Sequence, residues 1–450
     1  MWNTSDVIAA NLPTAWGKTL GMYVVARWAA SQGKTANILE PDNVLVEQTL
    51  SRYPEITALH RQDSYTCTDL QSTCKQVKDA SDWGEFCKGC VYKQARKAAK
   101  EAKIRCMNYH TYLANKMFGD VNIFDEGHKL INILDESKVV KIWQSEHKFP
   151  DGFKTIGDII AWIQAVQPER QDETLENALS EIMAVKDQAT ISYNKRMYRG
   201  HVDIQLQVMP GSTRKVPEYM WSKGKIILFS ATINREDIRN LGLSNKRVTY
   251  IEGDSPIHPS KRPVLYNPKY RLAKKYAHMA IPLLVKEIQR LLELEPGKGL
   301  IHVPYELAAN LREQIDHPRL LWHDQHNKAE VLAQFKGMPA DSGAVLVASG
   351  LYEGVDLPYD EATWQLIGKM PFLSLGDPHV AQRMELNPTW YDWETLKKVI
   401  QATGRICRAV DDMGRTYIAD AAFGTLVDRD KCRHVPLIPN YYKQAIRRVK

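Results

Sequence analysis

The chain has 450 residues, of which 44% are hydrophobic and 25% charged, with a formal net charge of +7. Such a length provides for about two to four domains, the composition is that of a soluble globular protein, and no apolar run reaches the roughly 18 residues a transmembrane helix needs. The N-terminal stretch MWNTSDVIAANLPTAWGKTL has no basic region leading into an apolar core, so it does not read as a secretory signal. A cytoplasmic protein is expected, in which structural disulfides are disfavoured. Seven cysteines therefore ask for another role, and four of them fall between residues 67 and 90.

In chain order, residues 7–10 (VIAA) predict a short buried strand that turns into a helix near Lys18, and residues 36–39 (ANIL) the next strand. Strand and helix signals alternate to about residue 60, the pattern of a parallel α/β sheet. Residues 61–92 break it with a polar, cysteine-bearing stretch. Residues 93–118 return to a helix and a strand, and VNIF at 121–124 is a buried strand ending in an acidic cluster. Between 131 and 205 apolar residues recur at helical spacing (Ile156, Ile159, Ile160, Ile163, Val166), which predicts a helical insertion. KIILFSAT at 225–232 rejoins the sheet. The four prolines of 255–268 read as an extended linker. A second α/β unit follows, with strands near 299–303 and 344–348.

The turn PTAWGKT, Pro13-Thr14-Ala15-Trp16-Gly17-Lys18-Thr19, lies between a strand and a helix. A phosphate loop needs inward backbone N–H groups, a lysine for the β/γ oxygens and a hydroxyl for Mg²⁺. Lys18 and Thr19 supply the last two. Phe124-Asp125-Glu126-Gly127-His128 ends the VNIF strand. Nucleotide hydrolysis uses one carboxylate to hold Mg²⁺, here Asp125, and one to activate water, here Glu126. The bland alternative is a solvated acidic turn. Gln401-Ala402-Thr403-Gly404-Arg405-Ile406-Cys407-Arg408 has the form QxxGRxxR, whose arginines lie on one helical face and suit a γ-phosphate. Ser230-Ala231-Thr232 ends a strand where a coupling motif between ATP and nucleic acid would sit. Each element has an ordinary structural reading, but all four in this order make coincidence an inadequate account.

PTAWGKT, FDEGH, LFSAT, LYEGVDLP (351–358), KMPF (369–372) and QATGRICR together resemble the helicase motifs of the XPD/DinG family of superfamily 2. The resemblance implies an α/β fold with two RecA-like parallel-sheet motor domains and ATP between them. It also implies an inserted Fe–S domain and a helical arch-like insertion. The expected spans are 1–60, 106–130 and 209–254 for the first motor, 61–105 for the Fe–S insertion, 131–208 for the arch and 255–450 for the second motor. Family members are ATP-dependent 5′→3′ DNA helicases. By matching positions, Pro13 to Thr19 bind ATP, Thr19 and Asp125 serve Mg²⁺, and Glu126 serves water. Glu353, Gly354 and Asp356 link nucleotide to DNA, and Gln401, Arg405 and Arg408 meet the γ-phosphate. Partners would be single-stranded and forked DNA, with no membrane, and the protein would act as a monomer, nucleoid-associated or phage-encoded, in DNA repair, recombination or replication.

Three departures stand out. Twelve residues precede Pro13, where the family carries a glutamine segment that recognises adenine, so adenine is held loosely or the chain is shortened. Ala15 and Trp16 replace a glycine and a small residue, leaving the loop less free to wrap phosphates. The arch is short for the family. The rival readings are a single-strand DNA or RNA translocase that hydrolyses ATP without unwinding, and a DNA-binding protein with a decayed motor. Intact Lys18, Glu126, Arg405 and Arg408 speak against decay.

The cysteine pattern is Cys67-x6-Cys74-x12-Cys87-x2-Cys90. Four thiolates suit an iron–sulfur cluster or zinc equally by spacing. Tyr65-Thr66-Cys67 and Cys90-Val91-Tyr92 resemble the ends of the family's cluster site and favour 4Fe–4S over Zn²⁺. Cys106 reads as core. Lys93, Arg96, Lys97, Lys100 and Lys103 recur at helical spacing, either tracking a phosphate backbone or forming a solvated face. Tyr109, His110 and Tyr112 read as core rather than stacking residues, and the basic tail 429–450 as surface charge or a further contact.

Overall fold

The computed structural model describes residues 4–67, 71–73, 89–137, 139–150, 152–186, 189–198, 201–210, 224–352 and 355–449. The first unit begins with β1 (Val7–Asn11), β2 (Ala36–Glu40), β3 (Thr57–Ala58), β4 (Ile104–Asn108) and β5 (Val121–Phe124). β1, β2 and β5 are buried along their whole length, which is why their sequences are continuous apolar runs rather than alternations. An insertion then contributes β6 (Val140–Trp143), β7 (Ala189–Tyr198) and β8 (His201–Pro210), and the chain returns through β9 (Lys225–Ser230) and β10 (Val248–Glu252). The main sheet runs β10-β1-β9-β5-β2-β4-β3, with β5 parallel to both β2 and β9. Tyr109, Tyr112, Phe124, Leu130 and Leu228 share its core.

The insertion is not purely helical. Helices Ile156–Arg170 and Glu173–Val185 pack on an antiparallel sheet ordered β6-β8-β7. The first helix is started by a capping box between Thr155 and Asp158, the second by Asp172. The helical reading missed residues 189–210, whose apolar side chains alternate: Leu206 and Val208 face the core across from Tyr193 and Ile191.

The second unit holds β11 (Val264–Tyr270), β12 (Gly299–His302), β13 (Leu320–Trp322), β14 (Val345–Val347), β15 (Trp364–Ile367), β16 (Arg415–Asp420) and β17 (Ile446–Arg448). They form a parallel sheet ordered β13-β14-β12-β15-β16-β11-β17. The proline-rich segment expected to be a linker therefore ends in a strand inside this sheet. Pro268 is tolerated because the register shifts between Tyr266 and Tyr270, the irregularity at which a residue without an N–H can sit.

Compact unit 1 comprises Met1–Ala10, Lys18–Ile251 and Ser374–Asn387, and unit 2 comprises Asn11–Gly17, Glu252–Leu373 and Pro388–Lys450. The chain passes from the first unit to the second near residue 252, and Ser374–Asn387 falls with the first unit. Arg383 of that segment pairs with Asp135 at 2.6 Å. No helix among the described residues is long and apolar enough to cross a membrane.

Candidate active site

The all-buried β1 delivers the chain to the Pro13–Gly17 turn, and the helix Lys18–Ser31 starts directly after it. Gly17 has φ 81, as a glycine can, but Ala15 also has φ 66. An L-alanine there bears backbone strain of about 1 kcal/mol that glycine would not. Trp16 is 47% exposed. Its indole edge and Leu12 crowd Gly253, where an added Cβ would come within 2.9 Å of Trp16 Nε1 and 2.8 Å of Leu12 Cδ2. The Gly253 N–H donates to the Asn11 carbonyl at 2.9 Å, so this contact anchors the base of the loop.

In the first unit Lys18 Nζ lies 3.7 Å from Glu126 Oε1, and Thr19 is half-buried in the first turn beside it. Glu126 adopts the left-handed conformation, φ 48 and ψ 48, which turns the chain sharply at the end of β5. His128 Nδ1 is 2.8 Å from Ser230 Oγ and 3.3 Å from Glu126 Oε2. Ser230 Oγ donates to Glu126 Oε2 at 3.4 Å and accepts from the Thr232 N–H at 3.0 Å. The structure thus brings the phosphate-loop lysine, the acidic box and the Ser-Ala-Thr segment into one polar chain.

Asp125 is buried at 9% exposure, and its carbonyl accepts from the Tyr109 hydroxyl. Burial, and then the Glu126 charge, push the Asp125 carboxyl up to about 7. For Glu126 burial works in the same direction, but Lys18 and then His128 outweigh it and hold that carboxyl below the usual carboxylate range. Asp125 Oδ1 is buried without a hydrogen-bond partner. An orphaned buried carboxylate oxygen with the Glu126 and Glu40 carboxylates nearby fits a divalent cation. Sequence reasoning missed Glu40, the last residue of β2, which is 1% exposed. It accepts from Thr49 Oγ1 at 2.7 Å, and burial and then Asp125 raise its carboxyl well above the ordinary range. The available signal was a glutamate closing the apolar run ANIL, at the strand end where sites of parallel sheets gather.

In the second unit the helix Pro388–Thr403 carries Gln401, which is half-buried, and Arg405 and Arg408 follow it. Asp356, expected among nucleotide-binding residues, places its carboxylate on both arginines: Arg405 Nη1 at 3.1 Å and Arg408 Nη2 at 2.6 Å. The Leu357 N–H donates to the Arg405 carbonyl at 3.0 Å. Beneath them, Gln365 Nε2 donates to the Ala402 carbonyl at 3.1 Å and to Thr416 Oγ1 at 2.9 Å, and His302 Nε2 meets Gln365 Oε1 at 3.0 Å. This buried network, also missed in the sequence, fixes the helix end from which the arginines project. Glu353 and Gly354 lie outside the described residues.

Cys67 and Cys90 are half-buried, and Cys90 caps the helix Val91–Glu101. The rings of Tyr65 and Tyr92 meet at 5.5 Å between centroids and draw those two cysteine segments together. Thr66 bridges Thr73, which brings the chain back beside Cys67. Cys74 and Cys87 lie outside the described residues. Among the described residues no three metal-ligating side chains converge. Cys106 is core, its thiol raised by burial. Lys93, Lys97 and Lys100 are exposed on one face of their helix, Arg96 is half-buried, and Ala99 seats the opposite face on the core. Tyr109 and Tyr112 are core as expected. Much of the basic tail is engaged within the fold: Arg429 and Arg433 on Asp392, Lys431 on Asp428, Lys443 on Asp430.

A family model of the helicase C-terminal domain matches residues 288–430, and the DEAD_2 family model matches residues 51–146. The chain is similar to the ATP-dependent DNA helicase YoaA of Escherichia coli K12, 25% identical over an alignment covering 78% of this chain and 71% of YoaA. It is also similar to the 3′-5′ exonuclease DinG of Bacillus subtilis 168, 24% identical over 46% of this chain and 25% of that protein. Its fold matches that of Xpd4 of S. tokodaii with TM-score 0.60 at 12% identity, covering 99% and 96% of the two chains. An XPD helicase structure matches with TM-score 0.61 at 13% identity, covering 98% and 96%.

Proposed function

We propose that this chain, an XPD/DinG-like helicase of superfamily 2, hydrolyses ATP to move 5′→3′ along single-stranded DNA and part the strands of forked DNA, acting as a monomer in DNA repair, recombination or replication. The observation that carries this reading is the unbroken run of contacts from Lys18 through Glu126 and His128 to Ser230. Such a run lets the state of a bound nucleotide reach the Ser230–Thr232 segment.

In this reading Lys18 neutralises the β/γ oxygens, and Glu126, held ionised by Lys18, accepts a proton from the attacking water. Thr19 and Asp125 would hold Mg²⁺, which supplies charge neutralisation and orientation of the phosphate chain. Gln401, Arg405 and Arg408 stabilise the transferring γ-phosphoryl, with Asp356 orienting both guanidinium groups. Lys93, Arg96, Lys97 and Lys100 follow the DNA backbone. Cys67, Cys74, Cys87 and Cys90 would hold a 4Fe–4S cluster, or zinc, as the scaffold of the segment beside strand separation. The test pairs a DNA-stimulated ATPase assay with displacement from a 5′-tailed fork. Hydrolysis with displacement supports the helicase, hydrolysis without displacement gives the translocase, and neither gives a decayed motor.

A further inference from the structure

Tyr359 stands in a conformation that bulky residues rarely adopt: φ is 54, and the side chain is 49% exposed. Nothing in the packing of an exposed ring compensates for that backbone, so its cause lies in what fixes it. Two adjacent carboxylates do so. Asp411 Oδ1 accepts from the tyrosine hydroxyl at 3.1 Å, and Asp412 Oδ1 accepts from the Tyr359 N–H at 3.2 Å. Asp412 is 2% exposed, and its second oxygen accepts the backbone N–H of Arg408 at 2.7 Å. The backbone N–H groups of Tyr359 and of the second arginine are thus held by one buried carboxylate, and the ring by the exposed one beside it. Val410 and Met413, on the segment that holds the ring, are themselves 56% and 54% exposed.

Three residues upstream of Tyr359, Asp356 holds Arg405 and Arg408. Three residues of extended chain reach at most about 10 Å. Cationic heads suited to phosphate and an aromatic face suited to a base therefore lie within roughly one nucleotide's length, in a single unit. We infer that Tyr359 is the nucleobase platform of this motor's nucleotide site: the ring stacks on the purine of ATP, Val410 and Met413 shield its edge, and Asp411, whose carboxylate has acceptor capacity beyond the tyrosine hydroxyl, takes the exocyclic 6-amino group. The inference rests on the reading of Arg405 and Arg408 as phosphate ligands. The acidic rim gives it a direction, because a 6-oxo purine presents an acceptor to Asp411 where a 6-amino purine presents a donor.

The test compares wild type with Tyr359→Phe, Tyr359→Leu and Tyr359→Gly. Steady-state hydrolysis gives KM and kcat, and calorimetry gives the affinities for ATP, GTP and inorganic tripolyphosphate, which has phosphates but no base. Stacking of a base on an aromatic ring is strong enough that losing it weakens binding roughly tenfold. Leu and Gly should each raise the ATP KM and Kd about tenfold and narrow the preference for ATP over GTP. Phe should stay within about twofold, and tripolyphosphate affinity should be unchanged throughout. Gly also removes the backbone strain, so a Gly variant that gains stability yet loses ATP affinity separates the ring's role from its conformation. Equal loss of ATP and tripolyphosphate affinity would overturn the proposal in favour of a structural role through Asp412. Unchanged ATP affinity with weaker single-stranded DNA binding would overturn it in favour of DNA bases. Wild type that binds ATP without hydrolysing it removes the motor reading but leaves the Tyr359 comparison decisive. Wild type that binds neither ATP nor tripolyphosphate sinks both.

Discussion

At the scale of single residues, Ala15 in the Pro13–Gly17 turn and Glu126 after β5 are among the positions whose conformation a glycine would bear more easily. Glu126 gains from it: the left-handed turn holds its carboxylate toward Lys18 and His128. Glu126→Gln should therefore keep ATP binding, while the rate of DNA-stimulated hydrolysis falls at least about a hundredfold. Wild-type turnover in that variant would remove Glu126 as the base. The neighbouring Asp125 gives a pH prediction. Its carboxyl is raised from 3.8 to about 7 by burial and the Glu126 charge, so between those values the folded protein binds a proton that the unfolded chain does not. Stability of the metal-free protein then falls as pH rises from about 4 to 7. Glu126, held low in the folded protein, opposes this trend only where the unfolded glutamate titrates, near 4.5, so the decline is read between about pH 5 and 7. Thermal melts without Mg²⁺ should show this decline, Mg²⁺ should raise Tm more at pH 8 than at pH 6, and Asp125→Asn should flatten both trends. A Mg²⁺ effect independent of pH would contradict the assignment.

At the scale of elements, the helix Val91–Glu101 tests what its charges are for. Ala99 and Ala95 seat one side on the core, while Lys93, Lys97 and Lys100 are exposed on the other. If all three meet phosphates, the triple Ala variant should reduce the slope of log K against log salt for single-stranded DNA by about 2. An unchanged slope returns the helix to a solvated face. The same scale shows what could be read beforehand. VNIF and KIILFS were legible because both sheet faces are covered and the run is continuously apolar. The hairpin β7–β8 was not, because its polar alternation, Thr190, Ser192, Asn194, sits beside two strongly periodic helices. β11 was hidden by its prolines, since only the pairing shows that Pro268 falls at an irregularity. The motifs were legible as residue types at spacings. Glu40, His302 and Gln365 were not, because a lone buried polar residue acquires meaning only from the strand beside it.

At the scale of the whole molecule, the chain couples two sheets that each bury their own core to a cysteine-bearing insertion of different character. The sheets owe their stability to apolar burial. The insertion is polar around its cysteines, so a bound metal should supply much of its folding energy. Loss of metal should then uncouple the two activities: Cys67→Ser or Cys90→Ser should lower iron content and weaken strand displacement, while DNA-stimulated ATPase persists at least in part, because Lys18, Asp125 and Glu126 are held at the strand ends of a sheet with its own apolar core. Cys74→Ser and Cys87→Ser should behave alike if all four thiolates share one cluster. Cys106→Ser places a hydroxyl in a core position of β4 and should cost stability while keeping iron. Iron, sulfide and zinc per chain, measured on anaerobically prepared wild type and all five variants, decide between the ligands. Stoichiometric zinc without iron would make this a zinc site, and loss of iron on changing Cys106 with Cys67 dispensable would move the fourth ligand into the sheet itself.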